Sequence, residues 1–269
     1  MQILFDPASP GDEDAAQQLA LRTGLEAHAV LAAQQRDNAE PALVRVAGRW
    51  ELQSAAGQHR LRVDFCSSRW QQRLRPANLN GEYLVRALRG RKRDLQGSTV
   101  LDATAGFGSD SLLLAAAGFE VTLLERMPVL VCLLEQAIAE AAVASDEALR
   151  ATVNRMTPLH VDSIDYMRAL QSPPDFVYLD PMYDAPPVAG QVLGKKRSAA
   201  PRKEMAVLKQ LTDPAACDPA EAGSLLEHAL AVARSKVVVK RPLHAPALAG
   251  IAPTSTLAGS AARFDIYAL

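Results

Sequence analysis

Val100-Leu-Asp-Ala-Thr-Ala-Gly106-Phe-Gly108-Ser-Asp110 decides the fold. Val100–Thr104 is a short apolar run, the glycines after it permit a tight turn, and Asp110–Ala117 has the apolar density of a buried helix. A strand that turns at glycines into a helix opens an α/β sheet, and the alternation continues outward. Glu120–Glu125 reads as a second strand, and Pro128 sits at the first turn of a helix running to about Ala142. Leu159–Val161, Asp175–Asp180 and Lys236–Lys240 read as three more strands, and Arg263–Tyr267 alternates as an edge strand would. Strands alternating with helices predict a mostly parallel sheet covered on both faces. Ligands of such sheets bind beyond the carboxyl ends of the strands.

The first third of the chain has a different texture. Residues 11–36 are rich in Ala, Gln and Leu and predict a helix. Leu43–Leu52 and Arg60–Phe65 alternate apolar and polar residues around the stretch Ser54–Gln58, which predicts a β-hairpin with one buried face. Ser67–Arg93 is polar, Arg-rich and partly helical in pattern, and Asp94–Ser98 forms a plausible boundary. The expected division is a small N-terminal α+β domain over residues 1–95, a candidate for RNA docking, and an α/β domain over 96–269.

Composition excludes several classes. The chain has 269 residues, 49% hydrophobic, with 29 Lys and Arg against 30 Asp and Glu. It is no bulk polycation, so affinity for nucleic acid must come from local patches. The 3 cysteines, Cys66, Cys132 and Cys217, are widely spaced and predict neither a disulfide framework nor a cysteine-rich metal site. The N-terminus lacks the basic and apolar regions of a signal peptide, and no apolar run is long enough to span a bilayer. A cytoplasmic protein is expected.

Candidate chemistry gathers at the strand ends. Asp102 precedes the turn at Gly106 and Gly108, where a carboxylate would face a bound ligand. Position 111 is Ser, so the third glycine of the dinucleotide fingerprint is missing and a nicotinamide enzyme is disfavoured. Glu125 closes the next strand about 20 residues on, where α/β nucleotide binders hold ribose hydroxyls; Arg126 follows it. Asp162-Ser163 after the third strand is suited to cap a helix or to accept from an adenine amino group. Asp180-Pro181-Met182-Tyr183 ends an apolar strand with a carboxylate, a proline and an aromatic ring.

That last tetrapeptide resembles the (Asp/Asn)-Pro-Pro-(Tyr/Phe) motif of methyltransferases that act on exocyclic base amines or a glutamine amide, with Met182 in place of the second proline. Such a nitrogen is a poor nucleophile because its lone pair is delocalised. A carboxylate and a backbone carbonyl accepting its N–H bonds would favour the pyramidal, reactive form, and an aromatic ring can stack on an extruded base. As an ordered set the elements resemble a class I S-adenosylmethionine-dependent methyltransferase. With Leu124–Pro128, Lys203–Met205, Val237–Pro242 and Arg263–Tyr267 added, residues 96–269 resemble the bacterial small-subunit ribosomal RNA guanine-N2 methyltransferase J family. The resemblance implies a Rossmann-like domain that methylates a guanine N2 of 16S rRNA, free or within the 30S subunit, without a metal. It implies cofactor contacts at Ser109-Asp110, Glu125-Arg126, Asp162-Ser163 and Asp180, beside the Gly106–Gly108 turn and Asp102. It assigns catalysis to Asp180, Pro181 and Tyr183. Ser109 and Asp162 depart from the residues commoner in that family.

RNA requires a basic surface. Arg86, Arg89, Arg91, Lys92 and Arg93 form one cluster; Lys195, Lys196, Arg197, Arg202 and Lys203 form a second; Lys240-Arg241 follows the fifth strand. Trp50 and Trp70 are expected in packing, and the scattered histidines in packing or at the solvent surface. Two other classes remain open to the residues alone: an amino-group methyltransferase acting on DNA adenine or a protein glutamine amide, and a non-catalytic RNA-binding factor.

Overall fold

A computed structural model describes residues 1–29, 40–55, 60–90, 96–181 and 219–269. The chain divides into two compact units. The first comprises Met1–Val63, and the second holds the described residues from Asp64 onward.

In the first unit β1 (Gln2–Phe5), β2 (Ala27–Ala29), β3 (Ala42–Val46), β4 (Arg49–Gln53) and β5 (Arg60–Leu61) form one sheet in the order β2-β1-β3-β4-β5. Helix α1 (Asp12–Thr23) accompanies it and buries Ala16 and Leu19 with Ile3, Leu4, Leu43 and Leu52. The helix expected over 11–36 stops early because Gly24 adopts φ 68° and its N–H bonds back to the Ala20 carbonyl. The expected hairpin also moves. Leu43–Leu52 is not one strand but a hairpin in itself: β3 and β4 pair antiparallel, Val46 opposite Arg49, around Ala47 and Gly48. Both turn residues have positive φ, 48° and 77°, as a two-residue type I′ turn requires. Alternation alone could not show this break, because an Ala-Gly pair is a weak turn signal.

The second unit opens with three short helices, α2 (Ser68–Arg73), α3 (Pro76–Leu79) and α4 (Tyr83–Arg89). They belong with the larger sheet: Lys236 Nζ donates to the carbonyls of Ala87 (3.3 Å) and Leu88 (3.0 Å). The first compact unit ends at Val63. The rest alternates as expected: β6 (Thr99–Asp102), α5 (Ser109–Ala116), β7 (Glu120–Glu125), α6 (Pro128–Ala142), α7 (Glu147–Val153), β8 (Met156–His160), α8 (Ser163–Ala169), β9 (Phe176–Leu179), α9 (Pro219–Val232), β10 (Lys236–Arg241), β11 (Ser255–Ala258) and β12 (Arg263–Ala268). The sheet order is β11-β12-β10-β9-β6-β7-β8. The five strands β6 to β10 run parallel, and β12 pairs antiparallel with both β10 and β11. The tail strand is thus not the edge; β11, whose four residues are mostly exposed, takes that place.

Both faces are buried, as a parallel sheet demands. On one, Leu101, Val177, Leu179, Val237 and Val239 pack against Leu225, Leu226 and Ala229 of α9. On the strands' other face lie Val100, Val121, Phe176 and Tyr178, with Phe119 edge-on to Phe176 at 5.7 Å. From β6 the chain adds β7 and β8 on one side, then returns to add β9 and β10 on the other. The direction reverses between β6 and β9, which opens a crevice at their carboxyl ends.

Ala47 is an L-residue in the left-handed region, which costs about 1 kcal/mol or more. Ala47→Asn should relieve much of that strain and raise the stability of the first unit by roughly 0.5–1 kcal/mol, read as a later denaturation midpoint and slower amide exchange across β3 and β4.

Candidate active site

The crevice is built from four carboxyl-terminal strand ends and tied by backbone bonds. Ala105 N–H donates to the Leu124 carbonyl, Val161 N–H to the Glu125 carbonyl, and Ala103 N–H to the Tyr178 carbonyl, each at 3.1 Å. Ser163 Oγ donates to the Ala103 carbonyl at 2.7 Å, and Asp180 N–H to Thr104 Oγ1 at 2.6 Å. The ends of β6, β7, β8 and β9 therefore move as one frame, and Asp180 is bonded directly to the stretch that leads into the Gly106–Gly108 turn.

The turn depends on its glycines for different reasons. Gly108 has φ 69°, and a Cβ there would lie 2.5 Å from Leu134 Cδ2, against the core side chain of α6. Gly106 has φ 53°, and among the described residues a Cβ there would meet only the Thr104 carbonyl, at 4.0 Å. The first glycine borders open space and the second is pressed into packing. Gly106 N–H donates to Glu125 Oε2 at 3.0 Å and Met127 N–H to Oε1 at 2.8 Å. Burial pushes the Glu125 carboxyl above its ordinary range, and these two N–H groups oppose that shift. Each oxygen keeps a lone pair for a further donor.

Asp102 is placed otherwise than expected. It is only 1% exposed, and its oxygens are taken by Thr104 N–H at 3.1 Å and by the Ser111 hydroxyl. It shapes the turn from below and does not face a ligand. Burial, with Asp110 and Asp180 nearby, pushes its carboxyl up to about 7. Asp162 caps α8 through Oδ1, accepting from Ile164 N–H (2.9 Å) and Asp165 N–H (3.1 Å). The capping role is therefore realised, and among the described residues Oδ2 has no hydrogen-bond partner. Arg126 points to the surface and pairs with Glu221 in the first turn of α9. Ser109 begins α5, half-buried beside the turn. Pro181 is half-buried after Asp180, while Met182 and Tyr183 lie outside the described residues.

The centre of the site was missed from sequence. Lys240 Nζ donates to Asp180 Oδ2 at 2.7 Å and to Asp110 Oδ2 at 2.8 Å, and the Tyr178 hydroxyl donates to the same Asp110 oxygen at 2.6 Å. Burial pushes Asp110 up, but the Lys240 ammonium and the Tyr178 hydroxyl bring it below the usual carboxylate range. For Asp180 burial wins over Lys240 and the carboxyl stays above that range. Lys240 itself is raised in spite of burial, held charged by the two carboxylates. The strand register accounts for the meeting: Val239 lies opposite Leu179, so Lys240 comes level with Asp180. Tyr178 shares a strand face with Asp180 because side chains alternate. Both members of the expected basic pair Lys240-Arg241 leave the RNA surface, since Arg241 is 1% exposed and donates to the Pro246 carbonyl at 2.8 Å. Arg263 fixes the same loop, bonding Asp265 through two nitrogens and the carbonyls of Leu243 and Ala245 through a third.

A family described as "Putative SAM-dependent methyltransferase" matches residues 25–269. The chain is 40% identical to ribosomal RNA small subunit methyltransferase J of Thioalkalivibrio sulfidiphilus over 77% of its own length and 75% of that relative. It is 34% identical to the protein of the same name from Pseudomonas syringae over 99% of its length and 91% of the relative. The chain belongs to this methyltransferase family. Over its whole length it also superposes on 96% of the crystal structure of a SAM-dependent methyltransferase from Neisseria gonorrhoeae, with TM-score 0.71 and 29% identity.

The site fits the S-adenosylmethionine on which the family depends. Open space at Gly106 admits a ligand beside the turn, Glu125 keeps acceptor capacity for ribose hydroxyls, and clustered carboxylates favour a sulfonium cation. Gly108→Ala should cost about 1–3 kcal/mol of stability through strain and overpacking. Gly106→Ala should cost about 1 kcal/mol but weaken cofactor binding more, because its methyl enters the open space. Thermal denaturation and calorimetric titration with S-adenosylmethionine separate the two effects.

Asp102 also sets a pH signature. An acid whose folded value is raised binds its proton more tightly in the native state, so stability falls as pH rises from about 4 to about 7. Asp102→Asn removes that dependence. The variant should gain stability relative to wild type across this interval, as measured by denaturant midpoints from pH 4 to 8.

Proposed function

We propose that this enzyme transfers the methyl group of S-adenosylmethionine to the exocyclic N2 of a guanine in 16S ribosomal RNA, free or within the 30S subunit, in the cytoplasm. The observation that carries the reading is Asp180: it is bonded through its backbone to Thr104 of the cofactor turn and keeps 40% of its side chain exposed at the crevice. The relatives named as ribosomal RNA small subunit methyltransferases supply the substrate class. The cofactor supplies a methyl already activated on a sulfonium.

The chain's own residues have two tasks, to position and to desolvate. Among the described residues Asp180 Oδ1 has no hydrogen-bond partner, so it is available to the target amine. A carboxylate accepting an N–H bond raises electron density on a nitrogen whose lone pair is spread into the ring, and the Pro181 carbonyl offers a second acceptor. Tyr183 supplies the ring against which the base stacks. Glu125 holds the ribose, and the free oxygen of Asp162 accepts from the adenine amine. Transfer would form the N–C bond as the S–C bond to the sulfonium breaks, leaving a neutral thioether, and the proton lost by the amine would pass to water at the open side of the crevice.

Arg86 lies exposed with its guanidinium over the Tyr83 ring at 5.2 Å, an edge of the basic surface proposed for RNA phosphates. The clusters at 91–93 and 195–203 lie outside the described residues. The N-terminal unit completes RNA docking.

Incubating 16S rRNA or 30S subunits with the enzyme and labelled cofactor, then mapping the modified base by mass spectrometry, tests the proposal. Asp180→Ala should lower transfer by roughly 10²-fold or more while cofactor affinity falls much less. Unimpaired transfer by that variant would remove Asp180 from its role.

A further inference from the structure

Lys240 is the one described ammonium placed between the two open carboxylates of the crevice, and methyl transfer as set out above does not use it. An ammonium inside an active site for an electron-poor amine needs an explanation. Its ammonium is engaged by Asp180, directly after β9, and by Asp110 in the first turn of α5. It is not held there by chance. The register of β10 on β9 sets its height, and Arg263 clamps the loop that follows it through the carbonyls of Leu243 and Ala245.

We propose that Lys240 is a positioning residue for methyl transfer: by holding Oδ2 of Asp180 it keeps that carboxylate charged and oriented, with Oδ1 left to accept from the target amine. This rests on the methyl-transfer reading above. The groups facing Asp180 are Lys240 from β10, Asp110 from α5, Tyr178 from its own strand and Asp102 from β6. Three of these four are acidic, and among the described residues only Lys240 favours the charged form of Asp180. Without the ammonium, burial and the Asp110 carboxylate, which already hold Asp180 above the usual carboxylate range, lose their main opposing charge among the described residues. A protonated carboxyl is a weaker acceptor, and it competes with the amine by carrying its own donor. Asp110 is secured separately, since the Tyr178 hydroxyl also bonds it. Losing Lys240 raises both carboxyls, but Asp110 keeps the Tyr178 hydroxyl while Asp180 keeps no side-chain donor among the described residues.

The experiment follows kcat against pH for wild type, Lys240→Met and Lys240→Arg, with labelled cofactor and 30S subunits. Lys240→Gln, which keeps a hydrogen-bond donor but drops the charge, repeats the measurement in a second background. In the Met and Gln variants the acidic limb of the profile should move up by at least one pH unit. At pH 7 kcat should fall at least tenfold and recover as pH rises. The Arg variant should retain most of the wild-type profile. A limb that stays in place, or a loss equal at every pH and not restored by Arg, overturns the inference. Carbon-13 NMR titration of the Asp180 carboxyl in the free protein reads the same displacement without substrate. Wild-type enzyme that leaves guanine N2 unmethylated defeats the function reading. Wild-type enzyme that methylates it, while Asp180 titrates at the same pH with and without Lys240, defeats this inference alone.

Discussion

Four carboxylates meet at the carboxyl edge of one sheet, and like charges so close raise one another's energy unless each is compensated. The protein resolves them in different ways. Asp102 is buried, which pushes its carboxyl up to about 7, while a hydroxyl and a backbone N–H donate to its oxygens and oppose that shift. Glu125 receives two backbone N–H bonds from the turns on either side of it. Asp110 and Asp180 share one ammonium. Each solution fixes a different loop, so the electrostatic problem and the shaping of the crevice are solved by the same bonds.

A cationic methyl donor fits such a place. Two of the four acids, Asp180 and Glu125, retain acceptor capacity toward the crevice, while Asp102 is committed to the scaffold. The distribution separates groups that hold the frame from groups that face a ligand. The distinction comes from burial and bonding partners, since all four occupy strand ends or first helical turns.

The parallel sheet was legible in the sequence because each strand from β6 to β10 is an apolar run ended by a polar residue, with Pro128 marking a helix start almost to the residue. The acidic positions were legible for the same reason. Lys240 was not, because its meaning depends on register: a lysine after three valines reads as a surface charge until β10 is aligned on β9. The interior place of β12 was also hidden, since β11, the true edge, has only a weak pattern in Ser255–Ala258. In the N-terminal unit, β1 and the break at Ala47-Gly48 were obscured by short strands and a turn pair of modest preference. The role of Asp102 could not be guessed, because a carboxylate before a glycine turn suits a ligand as well as it suits Ser111.

The antiparallel pair at the end of the sheet bears on how the cleft is held. β11 precedes β12 in the chain yet reaches the sheet only through it. The last hairpin is therefore joined to the parallel strands through β12 alone, along the whole of β10. Arg263, at the start of β12, then ties down the segment following Lys240. The acceptor end of the cleft thus leans on the last hairpin, whereas the cofactor end is tied by bonds among the ends of β6, β7 and β9.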